Sequence, residues 1–342
     1  MPTPIRRAIL AASGLTIASS LLLTGCAGSG EAPTPNTDAG GATRTITSEA
    51  GEATIPADPS MIVALDEPSA LNMMSIGVTP DIVFASWRTT VPREIIEDAG
   101  ITVVDTSEFY PASEEVAAHK PDLIVGTWAD GWSQSAPDYS EIAPMVGGLY
   151  TATGAEIIEA YGEYFDRTAE AASVSAALEA ATAAAADAQP ADAQSLSVLM
   201  SFGGDMPLYM DSDNSLHPSI ADSGFTRPTL QDTAPAEGSA YGGWTTFSPE
   251  QLTEHDADVL AVAVGLQYSL EGVTELAPYD SLEAVKQQRS VVVDGDIWSG
   301  GAAFYTYWVL RDLESIASGE LLPGVTADAA SRWADYTAAI AL

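Results

Sequence analysis

Residues 166–189 read DRTAEAASVSAALEAATAAAADAQ. Alanine dominates this stretch and neither proline nor glycine interrupts it, a composition with very high helix propensity. At a rise of about 1.5 Å per residue, a helix of this length spans roughly 30 Å or more, the width of a small domain. We therefore predict one stiff helix over 166–190 that joins two lobes of the chain. A surface helix inside a single domain is the alternative.

On the N-terminal side of this helix, over residues 43–165, short apolar runs alternate with helical segments. The runs typical of buried strands lie at 61–65, 81–85, 101–104 and 122–126. Between them, apolar residues recur at helical spacing over 69–76, 92–99 and 113–119. Strands and helices that alternate through short connections favour a largely parallel sheet covered by helices on both faces.

The second half, residues 191–342, repeats this scheme. Strand-like runs lie at 196–200, 259–264 and 291–293, and helical segments lie at 249–255 and 281–288. The predicted fold class is therefore α/β, with two Rossmann-like lobes joined by a single long rigid helix.

A short internal sequence repeat relates the two halves. Residues 114–124 can be laid over residues 250–260 at a constant offset of 136. Three identities result, which pair Glu114 with Glu250, His119 with His255 and Asp122 with Asp258. Each copy is predicted to be a helix opened by a serine, with an acid in the first turn, where it suits the helix dipole.

The charge of the chain excludes several functional classes. Its 342 residues include 12 Lys+Arg and 48 Asp+Glu, which gives a formal net charge of −36. So large an acidic excess leaves no basic face for a phosphate backbone and is repelled by anionic lipid head groups. We therefore expect no nucleic-acid partner. With 46% hydrophobic residues, the chain has ample material for a folded core.

The N-terminal sequence predicts the cellular location of the protein. Residues 1–25 are typical of a secretory signal, in which Arg6 and Arg7 precede an apolar stretch. The chain's single cysteine, Cys26, ends the sequence LTGC, which resembles the lipobox at which bacterial prolipoproteins are cut and lipidated. We expect lipid on Cys26 to anchor the protein to the extracytoplasmic side of the cell membrane, and residues 26–42 to form a flexible tether. A buried free cysteine is the alternative.

Tryptophans mark the predicted ligand site. In open parallel sheets, ligands bind beyond the carboxyl ends of the strands. Five of the seven tryptophans lie in loops of this kind, namely Trp87, Trp128, Trp132, Trp244 and Trp298. Large flat rings with few rotatable bonds suit a bulky, partly apolar ligand held between two lobes.

Polar candidates accompany these rings. Arg88 adjoins Trp87, and Arg227 lies in another loop, so either guanidinium can donate a forked pair of hydrogen bonds to ligand oxygens. For Arg227, an ion pair with a surface acid is an equal alternative. Tyr241 and Tyr305 are further predicted donors to the ligand.

Five short motifs carry a family resemblance. They are IVAL at 62–65, SIGVTP at 75–80, HKPDLIV at 119–125, WTTFSPEQL at 244–252 and DIW at 296–298. From about residue 43 to the C-terminus, the chain resembles the iron-siderophore and vitamin B12 substrate-binding proteins of ABC importers. The resemblance implies the class III periplasmic binding protein fold.

The resemblance also implies a mechanism of capture and delivery. A monomer holds its ligand in the interlobe cleft with little lobe closure and passes it to a membrane permease, which a separate ATPase drives. Glu114 and Glu250 match the acidic residues that dock onto arginines of the permease in this family. Simple helix capping is the alternative for both. No cofactor, catalytic residue or direct metal ligand is implied, because iron is bound only through the siderophore.

The ligand class is narrowed by charge. Ferric tris-catecholates carry several negative charges and usually require a cluster of Arg or Lys, so an acidic protein with two candidate arginines favours a hydroxamate-type ferric siderophore. A corrinoid or haem also suits five tryptophans. A secreted, lipid-anchored hydrolase is disfavoured, since no G-x-S-x-G, H-E-x-x-H or phosphate-binding loop occurs. Three scattered histidines argue against a receptor for bare metal ions.

Overall fold

A computed structural model describes residues 42–87, 89–106, 108–128, 138–235, 242–265 and 267–341. The first half opens with an antiparallel hairpin of β1 (Thr43–Ser48) and β2 (Gly51–Pro56). Five strands follow, namely β3 (Ile62–Ala64), β4 (Ile82–Ala85), β5 (Thr102–Asp105), β6 (Leu123–Trp128) and β7 (Met145–Leu149). Its helices are α1 (Glu67–Ser75), α2 (Thr90–Asp98), α3 (Ser113–Ala118) and α4 (Gly154–Phe165).

The first sheet is parallel throughout, with strand order β5-β4-β3-β6-β7. Its strands end at one edge, and the loops that follow them lead into the helices. Helix α1 shows how the sequence sets these transitions. The carboxylate of Asp66 accepts a hydrogen bond from the Ser69 amide at 2.8 Å, which caps the helix, and Pro68 occupies its first turn.

Helix α5 (Thr168–Asp187) lies within the alanine-rich segment and has 20 residues. It packs against α4 and against α9 (Ala303–Ser318), and its buried face includes Val174, Leu178 and Ala181. Alanine side chains let neighbouring helices approach closely, because they add little bulk to the interface. The helix is thus held by packing as well as by its own propensity.

The second half contains β8 (Leu196–Phe202), β9 (Met206–Met210), β10 (Trp244–Thr246), β11 (Val259–Val264) and β12 (Ser290–Asp294). Its other helices are α6 (His217–Asp222), α7 (Glu271–Thr274), α8 (Glu283–Lys286) and α10 (Ala329–Ala339). Short 3-10 helices lie at Tyr139–Glu141, Pro249–His255, Tyr279–Ser281 and Thr326–Asp328. The segment 249–255 is therefore helical as expected, but wound as a 3-10 helix.

The second sheet differs from the predicted parallel scheme. Its order is β10-β9-β8-β11-β12, in which β8, β11 and β12 are parallel while β9 runs antiparallel to both of its neighbours. The reason is a tight turn after β8, where Gly203 and Gly204 have φ values of 64° and 90° and return the chain directly into β9. The α/β fold class is confirmed, with one hairpin added to the second sheet.

No helix within the described ranges is both long enough and apolar enough to cross a membrane.

Candidate functional site

A cleft of about 460 Å³ opens where loops from the two sheets face each other. Its lining comes from both halves of the chain and is mostly aromatic and apolar. The lining residues are Trp87, Thr89, Phe109, Tyr110, Tyr150, Met200, Phe202, Met206, Leu208, Trp244, Gln267, Tyr268, Asp296 and Ser299. A concave site of this size and composition suits a bulky organic ligand with a few polar groups.

The wall from the first half is a group of touching rings. Trp87 follows β4, and its ring centroid lies 5.2 Å from that of Tyr150 and 5.7 Å from that of Phe109. Phe109 in turn meets Tyr110 edge to face, with a centroid distance of 5.0 Å. Such contacts are favourable for aromatic pairs and fix the orientation of each ring.

The wall from the second half combines methionines with aromatic rings. Met200 and Phe202 lie on β8, and Met206 begins β9 after the glycine turn. Tyr268 follows β11, and its ring centroid lies 6.2 Å from that of Phe202. Methionine side chains adapt their shape to a ligand, whereas the rings hold theirs.

Buried hydrogen bonds next to the cleft join the two halves of the chain. The Tyr150 hydroxyl donates to the Ser299 carbonyl at 2.5 Å. From α1, the Asn72 side chain donates to the Gly301 carbonyl at 3.1 Å and accepts from the Ala303 amide at 3.0 Å. Gly301 has a φ of 96°, and a Cβ there would lie 3.2 Å from the Tyr150 ring. Glycine is thus required by both the backbone and the close approach.

The polar groups of the cleft are few. Among the described lining residues there is no lysine or arginine, and Asp296 is the single carboxylate. Burial and then the charge of Asp296 raise the pKa of Tyr268 to about 12. Burial also raises the pKa of Tyr150. Both phenols therefore stay protonated at neutral pH.

The structure brings two of the predicted ligand residues, Trp87 and Trp244, into the cleft. Trp128 is half-buried and lines a different cavity, next to Thr54 of the hairpin and to Tyr139. Its place beside the hairpin, on β6, separates it from the lining of the cleft.

Trp298 and Tyr305 are corrections to the sequence prediction. Both side chains are 0% exposed. The Trp298 indole donates to the Asp312 carboxylate at 3.0 Å, so its polar edge is already satisfied in the core. Tyr305 lies on α9, whose first two turns are packed on all sides. The strand-end rule that selected Trp298 locates loops, but it does not tell which way a side chain points.

Arg227 is a further correction, because its guanidinium is a structural group of the second half. It donates to the Met210 carbonyl at 3.1 Å and to the Gln231 side chain at 2.5 Å. The Gln231 amide bonds the Ser197 hydroxyl at 2.7 Å and contacts the His255 ring at 3.2 Å. Burial lowers the pKa of Arg227 to about 10 and that of His255 to about 4.

The remaining predicted ligand residues, Arg88, Trp132 and Tyr241, lie outside the described residues. Sequence reasoning missed most of the cleft lining, since it considered tryptophan and arginine first. Phe109, Tyr110 and Tyr150 follow strands of the same sheet as Trp87, and Tyr268 follows β11 of the second sheet. Applying the strand-end rule to every aromatic residue would have found them.

Comparisons with known proteins agree with this architecture. A family model described as periplasmic binding protein matches residues 62–297. The chain therefore belongs to the periplasmic binding protein family, which confirms the resemblance seen in its sequence. A search of curated proteins finds no match.

Three similar solved structures share the fold at low sequence identity. The FhuD protein from S. pseudintermedius is 21% identical, with a TM-score of 0.64 over 83% of this chain and 100% of that one. The petrobactin-binding protein YclQ from Bacillus subtilis is 18% identical, with a TM-score of 0.67 over 81% and 99%. The siderophore-binding protein BauB, bound to two acinetobactin molecules and ferric iron, is 17% identical, with a TM-score of 0.61 over 81% and 99%.

Proposed function

We propose that this protein captures a ferric siderophore in the aromatic cleft and delivers it to the permease of an ABC importer. The observation that carries the proposal is the composition of the cleft, in which rings from both halves enclose about 460 Å³. Structural similarity to a petrobactin-binding protein and to a siderophore-binding protein that holds ferric iron supports it. Iron enters as cargo, held by the oxygens of its chelator.

A hydroxamate-type complex fits this cleft best. Anionic ferric catecholates need several cationic groups, and no lysine or arginine is found among the described lining residues. Ferric hydroxamates are neutral or weakly cationic, so aromatic faces and phenol hydroxyls can hold them without a counter-charge. A corrinoid or haem is the second candidate, favoured by the large flat rings alone.

Binding of defined complexes tests the proposal. The protein is titrated with ferric complexes of ferrioxamine and ferrichrome type, with a ferric tris-catecholate and with cobalamin, while tryptophan emission and heat are recorded. We expect saturable binding of a hydroxamate complex and little response to the others. Tight catecholate binding would contradict the hydroxamate preference, and tight cobalamin binding would favour the second candidate.

A pair of variants locates the site. Trp87→Ala removes a ring from the cleft wall and is expected to weaken hydroxamate binding about 10- to 100-fold. Trp333→Ala is the matched control, because that indole packs against Phe304, with ring centroids 5.0 Å apart, and does not line the cleft. Equal affinity losses in the two variants would show that the ligand binds elsewhere.

Delivery to the permease rests on one exposed acid from each half. Glu114 and Glu250 are exposed at the starts of α3 and of the 3-10 helix before β11. Their neighbours make capping bonds: the Ala112 amide donates to Glu115 and the Ser248 amide donates to Gln251, each at 3.0 Å. Glu250 also accepts from its own amide and from the Ser248 hydroxyl, which lower its pKa, but its side chain stays exposed to solvent. The two glutamates are thus available to dock onto arginines of the permease.

The remaining parts of the proposal come from the N-terminus and the family. A lipid on Cys26 holds the protein at the extracytoplasmic face of the membrane, and residues 26–42 tether the folded body. The protein acts as a monomer and catalyses no reaction. The ATPase of the importer supplies the energy for transport. Mass spectrometry of membrane-extracted protein, which detects acyl chains on Cys26, tests the anchor.

A further inference from the structure

A buried carboxylate lies directly behind the first-half wall of the cleft. Glu67, the first residue of α1, is 0% exposed. Its Oε2 accepts a hydrogen bond from the Trp87 amide at 3.0 Å, and its Oε1 accepts one from the Thr89 amide at 3.2 Å. Trp87 and Thr89 both line the cleft. One side chain therefore holds two backbone groups of the loop that presents the wall.

We propose that Glu67 is a positioning residue for the ligand, because it holds the Trp87 and Thr89 amides and so keeps the Trp87 ring on the cleft wall. This inference rests on the proposed function, since it concerns the same cleft. Glu67 itself is not among the residues that line the cleft. Its effect on the ligand passes through Trp87.

The chemistry of the contact favours an ionised acid. A carboxylate is an acceptor at both oxygens, so it satisfies two amide donors at once. An amide has a donor-only nitrogen at one of the two positions, so one of the two bonds is lost. In a protonated carboxyl the hydroxyl oxygen is a weaker acceptor, so one of the two bonds is weakened. Ser86, which precedes Trp87, is held separately, because its hydroxyl donates to the Leu65 carbonyl at 2.5 Å. Trp87 and Thr89 are the part that depends on Glu67.

Ionisation of this group is sensitive to pH near neutrality. Burial raises the pKa of Glu67 to about 7, against the lowering effect of the Trp87 and Thr89 amides, and the neighbouring carboxyl of Asp66 adds to the rise. From α9, the phenol of Tyr305 faces Glu67, and its own pKa is raised by burial and then by that carboxylate. As the pH falls through about 7, Glu67 takes up a proton and the wall loosens.

Stability and binding change in opposite directions under this proposal. An acid whose pKa is higher in the folded state than in the unfolded state binds its proton more tightly when folded. Its protonation therefore stabilises the fold, and stability falls as the pH rises from about 4.5 through about 7. Removing the charge should leave the fold at least as stable at about pH 8, while binding becomes weaker.

The test uses Glu67→Gln in the full-length protein, with a ferric ferrioxamine-type complex as the probe and calorimetry as the measurement. At about pH 8, we expect binding about tenfold weaker than in the wild type and no loss of melting temperature. Wild-type affinity should fall as the pH is lowered from about 8 to about 6, whereas the affinity of the variant should stay level. In a Trp87→Ala background, Glu67→Gln should cost no further affinity.

Two controls separate positioning from general damage. Asp312→Asn removes another buried carboxylate, whose pKa burial raises to about 6 and whose partners include Arg332 and Trp298. It should keep the wild-type pH profile of binding. Trp87 emission in ligand-free protein, taken as the wild type minus Trp87→Phe, should shift between about pH 8 and pH 6. The Glu67→Gln variant should show no such shift.

The outcomes are distinct for this inference and for the proposed function. An unchanged affinity and pH profile in Glu67→Gln, or an equal loss in the Trp87→Ala background, would overturn the positioning role. If no ferric complex binds the wild type, the proposed function fails, and the Trp87 emission titration still decides whether Glu67 holds the wall. If Glu67→Gln does not fold, the wild-type emission titration gives the same decision.

Discussion

The two halves of the molecule share a scaffold and use it differently. In the first sheet β3 lies between β4 and β6, and in the second sheet β8 lies between β9 and β11. In both sheets, a serine just before the central strand bonds the carboxylate of an aspartate just before a neighbouring strand, and we call this contact the latch. The Ser60 amide and hydroxyl donate to the Asp122 carboxylate at 2.8 and 2.7 Å, and those of Ser195 donate to Asp258 at 2.7 and 2.8 Å.

The difference lies beside the latch. His119 is half-buried and meets the Phe84 ring edge to face, whereas its counterpart His255 is 0% exposed and belongs to the Arg227–Gln231 cluster. The neighbouring strand is parallel in the first half and antiparallel in the second. A βα unit can therefore keep its backbone contacts while the adjacent loops diverge and supply different walls to one cleft.

Loss of the two docking glutamates should have the strongest effect on transport, and it tests whether both halves contact the permease in the same way. The double variant Glu114→Ala with Glu250→Ala should abolish uptake of the ferric complex by cells and leave its affinity unchanged, because each half loses its exposed docking charge. The matched control, Glu159→Ala with Glu179→Ala, removes two exposed acids from α4 and α5 and should transport normally. Normal uptake by the Glu114 and Glu250 variant would refute the docking role.

The buried Arg227 cluster of the second half should contribute more to stability than an exposed arginine of the first half. Arg227→Ala removes one of the two donors to the buried Gln231 side-chain oxygen, which keeps its bond from the Val198 amide, and also removes a donor to the Met210 carbonyl. It should lower the free energy of unfolding by about 2–3 kcal/mol. Denaturant unfolding measures it. In the first half, Arg93→Ala removes exposed ion pairs with Glu97 and Asp105 and should cost about 1 kcal/mol or less. Equal losses would mean that the buried cluster adds no stability of its own.

The paired latch gives the smallest effect. Asp122→Asn and Asp258→Asn should each cost about 1 kcal/mol, and their effects should add, because they lie in different sheets. The pKa of Asp122 is lowered by bonds from Ser60 and Met61, which outweigh its partial burial, and that of Asp258 is lowered by bonds from Ser195. Both contributions are present at neutral pH and fade as the pH falls below about 4.

Acid unfolding followed by circular dichroism checks this prediction. At acidic pH, the free energy of unfolding of the wild type should approach that of either variant. A clearly larger loss for one aspartate would show that the two latches are not equivalent.

Local patterns were sufficient for much of the fold. Alternating apolar runs and helical spacing predicted β3, α1 and β4 within a few residues, since each element is set by its own periodicity. The antiparallel β9 was not predicted, because a hairpin after β8 depends on backbone angles at Gly203 and Gly204. The short 3-10 helix at Pro249–His255 was read as an ordinary helix, because both have similar spacing.

The candidate site was predicted less completely than the fold. Trp87 and Trp244 both line the cleft, whereas the Trp298 indole is buried and donates to Asp312. Arg227 is buried and donates to Gln231, which the sequence did not indicate. Nor did the sequence indicate that Glu67 lies behind Trp87 and accepts from its amide. A side chain's direction depends on which partner is near in space, and such partners are often far apart in the chain.

The alternating elements, the long alanine-rich helix, the repeat between the halves and the family could be predicted from local features, because they depend on composition, spacing and short motifs. The packing of the two halves was needed to show which rings meet across the cleft, which indole is buried and which carboxylate accepts from the Trp87 and Thr89 amides. Those outcomes follow from burial and hydrogen bonding between residues such as Asn72 and Ala303, which come together only when the two halves pack.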